Sequence, residues 1–229
     1  SIADVETMQA IVLLGCNVRH EAPILGHRVR KASLAGGSVF ALNPLEWNFH
    51  FDIADGMIAA PQEMVAEFAT LALAVSQVTG KALPAELARA ADEANVSNYQ
   101  QMAQALHDSE RAVLIVGQAA INHPQASWLR TLAAWIADAS GAGLNLLPSG
   151  GNTSGAVKMG ALPGDGGLNA QTMLEQPRKA YMLWDLEPDL DFNDPSLALK
   201  ALRQADSVVS VGCFANEALR RVATVLLPL

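Results

Sequence analysis

The sequence predicts an α/β fold built on mainly parallel sheets with helices on both faces. Two observations carry that prediction. Short apolar runs of strand length recur along the chain, and they lack the polar alternation of a sheet with one wet face. Between them lie longer, Ala-rich stretches with apolar residues at helical spacing. Strand and helix in alternation imply a parallel sheet with right-handed crossovers.

The elements follow in order. The run at 11–14 ends at Gly15, and a helix is expected over 22–35, where Leu25, Val29 and Ala32 share a face. A strand at 38–42 ends at Asn43-Pro44. Met64, Phe68, Leu71 and Val75 mark the next helix, and Leu87, Ala91 and Ala94 a weaker one. A strand at 112–116 ends at Gly117, followed by a helix carrying Trp128, Leu132, Trp135 and Ile136. Strands at 144–147, 180–184, 207–211 and 223–227 end at Pro148, Asp185, Gly212 and Pro228, with a helix over 197–202 among them. Such apolar runs suit strands buried on both faces.

A weak repeat joins the two ends of the chain. Leu14-Gly15-Cys16 leads to Glu21-Ala22, and Val211-Gly212-Cys213 leads to Glu217-Ala218. A seam between related halves is expected between Ala94 and Arg111, dividing the chain into 1–108 and 109–229, or in the irregular loop over 149–167.

Composition excludes several function classes. The 229 residues are 51% hydrophobic and 17% charged, which supports a sizeable core and excludes a disordered chain. The net charge of −8 argues against a broad nucleic-acid footprint. Two cysteines, Cys16 and Cys213, hold neither an iron–sulfur cluster nor a Cys₄ zinc site. No apolar run reaches the roughly 18 residues of a membrane span. The acidic N-terminus lacks the basic region of a signal peptide, so a cytoplasmic location is expected.

The motif with most chemical content is Gly15-Cys16-Asn17, at the carboxyl end of a buried strand, where ligands bind in open α/β sheets. Free N–H groups opening the next helix can hold an anion there. The plain alternative is a strand-to-helix turn. No G-x-G-x-x-G or P-loop pattern is present, and Asn43 stands where a ribose-binding acid is expected. Cys16 and Cys213 lack a neighbouring cation to activate them, so both are expected to be buried and structural. His20 and His27 lie seven apart, near one helical face, yet no spacing of the histidines indicates a metal. Glu187, Asp189, Asp191 and Asp194 could chelate Ca²⁺ or form an acid–base pair, but a solvated loop ending in a helix cap before Pro195 is simpler.

From Gly15 through Arg19-His20-Glu21-Ala22-Pro23 to Arg28-Val29-Arg30-Lys31-Ala32 the chain resembles the molybdopterin oxidoreductase superfamily. Within it, the order is most similar to the G subunit of bacterial NADH:quinone oxidoreductase, respiratory complex I. Gly151-Asn152-Thr153-Ser154-Gly155-Ala156 with Gly160-Ala161-Leu162-Pro163, then Pro177-Arg178-Lys179-Ala180-Tyr181, Glu187-Pro188-Asp189 and Ala223-Thr224-Val225-Leu226-Leu227-Pro228 resemble later segments of that protein. The resemblance implies Rossmann-like halves, as in the first three domains of formate dehydrogenase and DMSO reductase.

The departures bear on the cofactor. Family members with activity follow the second strand with Asp-Pro-Arg on the guanosine side of molybdopterin guanine dinucleotide. Here that segment is Asn43-Pro44-Leu45, a later one is Ala60-Pro61-Gln62-Glu63, and Thr224 replaces an Asp. The resemblance therefore implies a cofactor-free structural region in which Gly15, Asn17, Glu21 and Asn152 are vestiges of the cofactor site, with no catalytic residue and no metal. The parent would belong to a proton-translocating NADH:quinone oxidoreductase, its iron–sulfur clusters held by cysteines N-terminal to this fragment. Its partners would be the other proteins of the peripheral arm on the cytoplasmic side of the membrane, with neither nucleic acid nor membrane insertion. Two alternatives stand: part of an active molybdopterin guanine dinucleotide enzyme such as a formate dehydrogenase, with Asn17, Glu21 and Asn152 lining the site, or an unrelated nucleotide-binding or interaction module.

Overall fold

A computed structural model describes residues 1–229. The chain divides into two compact units, Ser1–Thr153 and Ser154–Leu229. In the first, a 3₁₀ turn (Ala3–Thr7) precedes β1 (Ala10–Leu14), α1 (Val18–Glu21), α2 (Pro23–Leu34), β2 (Ser38–Asn43) and β3 (Asp55–Ile58). Then come α3 (Met64–Thr79), α4 (Ala85–Ala88), a 3₁₀ segment (Glu93–Tyr99), α5 (Gln100–Asp108), β4 (Ala112–Val116), α6 (Gln118–Ile121), α7 (Ala126–Ser140) and β5 (Gly143–Leu146).

These strands form one parallel sheet in the order β3-β2-β1-β4-β5. Successive side chains alternate between its faces. Ala10, Val12 and Leu14 of β1, with Phe40, Leu42, Leu114 and Val116, pack under α3, α5 and α7. Ile11 and Leu13, with Val39, Ala41, Val113 and Ile115, pack under α2 and the N-terminal turn. All five residues of β1 and of β4 are buried, which is why their sequences are uninterrupted apolar runs. Each fully buried aliphatic side chain stabilises the fold by about 1.5–3 kcal/mol.

The second unit is smaller. α8 (Thr153–Lys158) starts at the division, followed by α9 (Ala170–Glu175), β6 (Ala180–Trp184), α10 (Pro195–Arg203), β7 (Ser207–Gly212), α11 (Glu217–Val222) and β8 (Val225–Pro228). The strands are parallel in the order β6-β7-β8. Leu202 of α10 and Leu219 of α11 pack with Tyr181, Leu183 and Val208 on one face. On the other face the register aligns Met182 with Val209 and Val225, and Trp184 with Val211 and Leu227. No helix of this unit covers that face, and Met182 and Trp184 are 68% and 63% exposed.

The parallel sheets flanked by helices agree with the expected fold class, and several details are corrected. The division falls in the loop over 149–167 and not at 108/109, because β4 pairs with β1 in one sheet. The weak stripe of Leu87, Ala91 and Ala94 is no single helix: α4 stops at Ala88, and Ala94 is an exposed part of the 3₁₀ segment. β3 and α5 lie outside the expected elements: β3 carries Asp55 and Gly56, so it shows no apolar run. β5, β6 and β8 are not buried on both faces; each lies at the edge of its sheet.

Candidate functional site

The strand order of the first sheet reverses between β1 and β4, so both crossovers leave a crevice at the carboxyl ends of these two strands. Gly15 follows β1 and Gly117 follows β4. Gly15 has φ +55, the left-handed region, and a Cβ there would stand 2.7 Å from Ala120 N and 2.9 Å from Ala120 Cβ. A Cβ on Gly117 would stand 2.6 Å from both Cys16 Cβ and Glu21 Oε2. The two turns are pressed together, and glycine is what lets them approach.

Glu21 fills the remaining space. Its Oε1 accepts from the Asn17 backbone N–H at 2.6 Å, and its Oε2 accepts from the Gln118 N–H at 2.8 Å. These N–H groups open α1 and α6, where donors lack helical partners. One carboxylate thus caps both helices. Asn43, 3% exposed, holds the Cys16 N–H through Oδ1 at 2.7 Å. Gln118 extends the network, donating from Nε2 to the Leu147 carbonyl at 2.6 Å, while its Oε1 accepts from Ser149 and Asn122.

The structure therefore brings Gly15, Asn17 and Glu21 together. Asn152 is elsewhere, exposed in the loop after β5. Gly117, Gln118 and Asn43 belong to the same cluster, and the apolar run ending at Gly117 is the sequence signal for the first two. Cys16 is buried, and burial, then the Glu21 carboxylate, push its thiol pKa up, so it is a packed side chain and not a nucleophile. Cys213 is corrected: it is exposed, because it follows β7 in an open turn. His20 and His27 lie on different helices, α1 and α2.

The repeat reappears as geometry. The Cys213 N–H bonds Asp185 Oδ1 at 3.2 Å at the end of the neighbouring strand β6, as the Cys16 N–H bonds Asn43 at the end of β2. It stops there, since Glu217 pairs with Arg221 along exposed α11 and bridges nothing. In the acidic loop, Asn216 Nδ2 donates to Glu187 and Asp189 at 2.8 Å each, and Asp194 caps α10 by accepting from the Leu197 N–H at 2.9 Å. That agrees with the capped-loop expectation.

The sequence profile of the molybdopterin oxidoreductase family matches residues 1–229. The chain belongs to that family. No curated protein shows a significant match to it. Among solved structures, a chain of the formyltransferase/hydrolase complex from Methylorubrum extorquens, crystallised with methylofuran, shares the fold with a TM-score of 0.63 at 11% identity. The match covers 99% of this chain and 64% of that one. No helix is long and apolar enough to cross a membrane.

A molybdopterin oxidoreductase that loads its dinucleotide at such a crevice needs free N–H donors for the phosphates. These residues do not fit that group. Glu21 already holds the Asn17 and Gln118 N–H groups, and its charge would repel a phosphate. At this crevice the Asn17 side-chain amide is the buried polar group left without a partner at its Oδ1.

Proposed function

We propose that the chain is a cofactor-free structural region of a molybdopterin-oxidoreductase-family protein, acting through contacts with other proteins in a larger assembly. The observation that carries this reading is Glu21, whose carboxylate takes the two N–H donors a cofactor phosphate would use. Asn43 supports it, because its side chain is spent on Cys16 and the Asp-Pro-Arg pattern is absent. The loop motifs around Asn152 and Leu162 favour the peripheral arm of NADH:quinone oxidoreductase, with this region belonging to its G subunit on the cytoplasmic side. In that setting electrons pass from NADH toward quinone through iron–sulfur clusters outside these residues.

A second home is favoured by a separate observation. The fold correspondence along 99% of the chain is to a member of a formyltransferase/hydrolase complex.

The test is to purify the full-length protein from its native source and measure molybdenum, tungsten and extractable pterin per chain. We expect none above background. One metal and one pterin per chain would overturn the cofactor-free reading and favour an active dinucleotide enzyme. Mass spectrometry of the same preparation decides the home: NADH:quinone oxidoreductase proteins, or a formyltransferase.

A further inference from the structure

The chain is acidic overall, yet one cavity of its first unit is lined by two arginines and two histidines. Arg19 of α1, His27 and Arg30 of α2, and His50 in the β2–β3 connection line a cavity of about 200 Å³ to which no Asp or Glu contributes. The two guanidinium groups are held in place by backbone. Arg19 Nη1 donates to the Asn48 carbonyl at 3.0 Å, and Arg30 Nε donates to the His50 carbonyl at 3.2 Å. Neither arginine has a carboxylate partner. Their neighbours Arg28 and Lys31 are different, since both pair with Glu6, at 2.7 and 2.5 Å. Along α2 the cations on one side thus share a carboxylate, and Arg30 on the other has none. Asp52 borders the adjoining hollow beyond Arg30 and His50 without pairing with either.

A second cavity adjoins the first. It holds about 260 Å³ and is lined by apolar side chains, including Ile24, Leu25, Leu146 and Leu147. Pro23, at the start of α2, is in the wall of both cavities. Ile24 is 67% exposed there, a large aliphatic residue held in water beside a cationic hollow.

We propose that this double cavity is a docking surface for an acidic segment of a partner protein, with an apolar side chain seated against Ile24 and Leu146 and nearby carboxylates on Arg19 and Arg30. Charge complementarity selects the occupant: guanidinium groups take carboxylates with directional hydrogen bonds, and the net charge of −8 repels an acidic segment from the rest of the surface. The adjoining apolar cavity selects a peptide over a small anion, which would leave Ile24 uncovered. The proposal rests on the reading that the chain acts through protein contacts. Metal and pterin content test the cofactor-free reading, and the cross-link below tests this surface, so the two fail separately.

The experiment places photoreactive p-benzoylphenylalanine at Ile24 of the full-length protein in its native assembly and sequences the cross-linked peptide. The expected product joins Ile24 to a partner segment with an apolar residue flanked by two or more Asp or Glu. R19E/R30E lowers its yield roughly tenfold, as a loss of one decade in affinity does. R19K/R30K retains much of it, and an ionic strength of about 0.5 M suppresses it. Thermal melts of each variant confirm folding. No cross-link, a product with a segment lacking acidic residues, with lipid or with this same chain, or a yield indifferent to charge reversal would each overturn the proposal.

Discussion

Glu21 and Gln118 are 97 positions apart in the chain and 2.8 Å apart in space, carboxylate oxygen to amide nitrogen. That bond, with the one from Asn17 to the same carboxylate, joins the ends of β1 and β4. Its loss has a defined cost. Glu21→Ala leaves two helix-opening N–H groups without their acceptor and is expected to destabilise the first unit by about 2–3 kcal/mol. Glu21→Gln keeps one acceptor oxygen and loses the charge, so an intermediate effect is expected. Urea unfolding followed by far-UV circular dichroism measures both, and an Ala variant as stable as the parent would remove Glu21 from its bridging role.

Gly117→Ala tests the close approach of the two turns. The new Cβ meets Cys16 and Glu21 at once, and neither is the free end of a flexible surface chain. A loss of about 3 kcal/mol is expected. Gly141→Ala is the comparison, because Gly141 ends α7 at φ +80 with nothing within 4 Å of its Cβ. There the cost is backbone strain alone, about 1–2 kcal/mol. Equal losses at the two positions would contradict the steric argument.

The two cysteines should separate cleanly under a thiol reagent. Cys213 is exposed and Cys16 is buried with a raised pKa. In native protein a disulfide reagent should label Cys213 fast and leave Cys16 protected until denaturant is added. Rapid modification of both in the folded state would contradict the packing around Cys16.

Alkaline pH should weaken the fold, and the sign follows from the same burial. Burial raises the folded pKa of Cys16 above its ordinary 9.0, with Glu21 adding to the shift. Burial, then the hydrogen bond to Glu67, raises that of Tyr99 above 10.0. Both groups therefore lose protons more readily in the unfolded chain. Their contribution to stability is complete below pH 9 and declines as pH rises beyond the ordinary pKa values. Denaturant midpoints measured from pH 7 upward should fall past pH 9; a flat profile would place both groups in water.

Limited proteolysis should cut between Ser149 and Gly167, where the two units divide and most residues are exposed. The fragment ending near Thr153 should persist, since both faces of its sheet are covered. First cuts within β1 or β4 would contradict the division.

Much of the first unit is legible in the sequence because burial on both faces writes a simple pattern. β4 begins and ends where its apolar run does, and α3 carries its stripe from Met64 to Val75. β3 is not legible, because a strand with alternate exposure and an internal glycine leaves no run to see. At the site, Gly15, Asn17 and Glu21 stand out as a contiguous motif. Gln118 does not, because its contribution is a backbone N–H, which any residue but proline supplies, and its partner is 97 residues away. Cys213 departs from expectation for a related reason: the Gly-Cys pair after β7 matches that after β1 in letters, while the solvent around it depends on the surrounding sheet.

The uncovered face of β6, β7 and β8 has a consequence for handling. Met182, Trp184, Val225 and Leu227 meet water while every strand is correctly formed. Such a face is expected to take the protein out of solution as folded material, by face-to-face association, before any secondary structure is lost. On warming, light scattering should therefore rise ahead of the change in circular dichroism. Yield would then be governed by solubility, and a single polar substitution such as Trp184→Lys would improve it without raising the melting temperature.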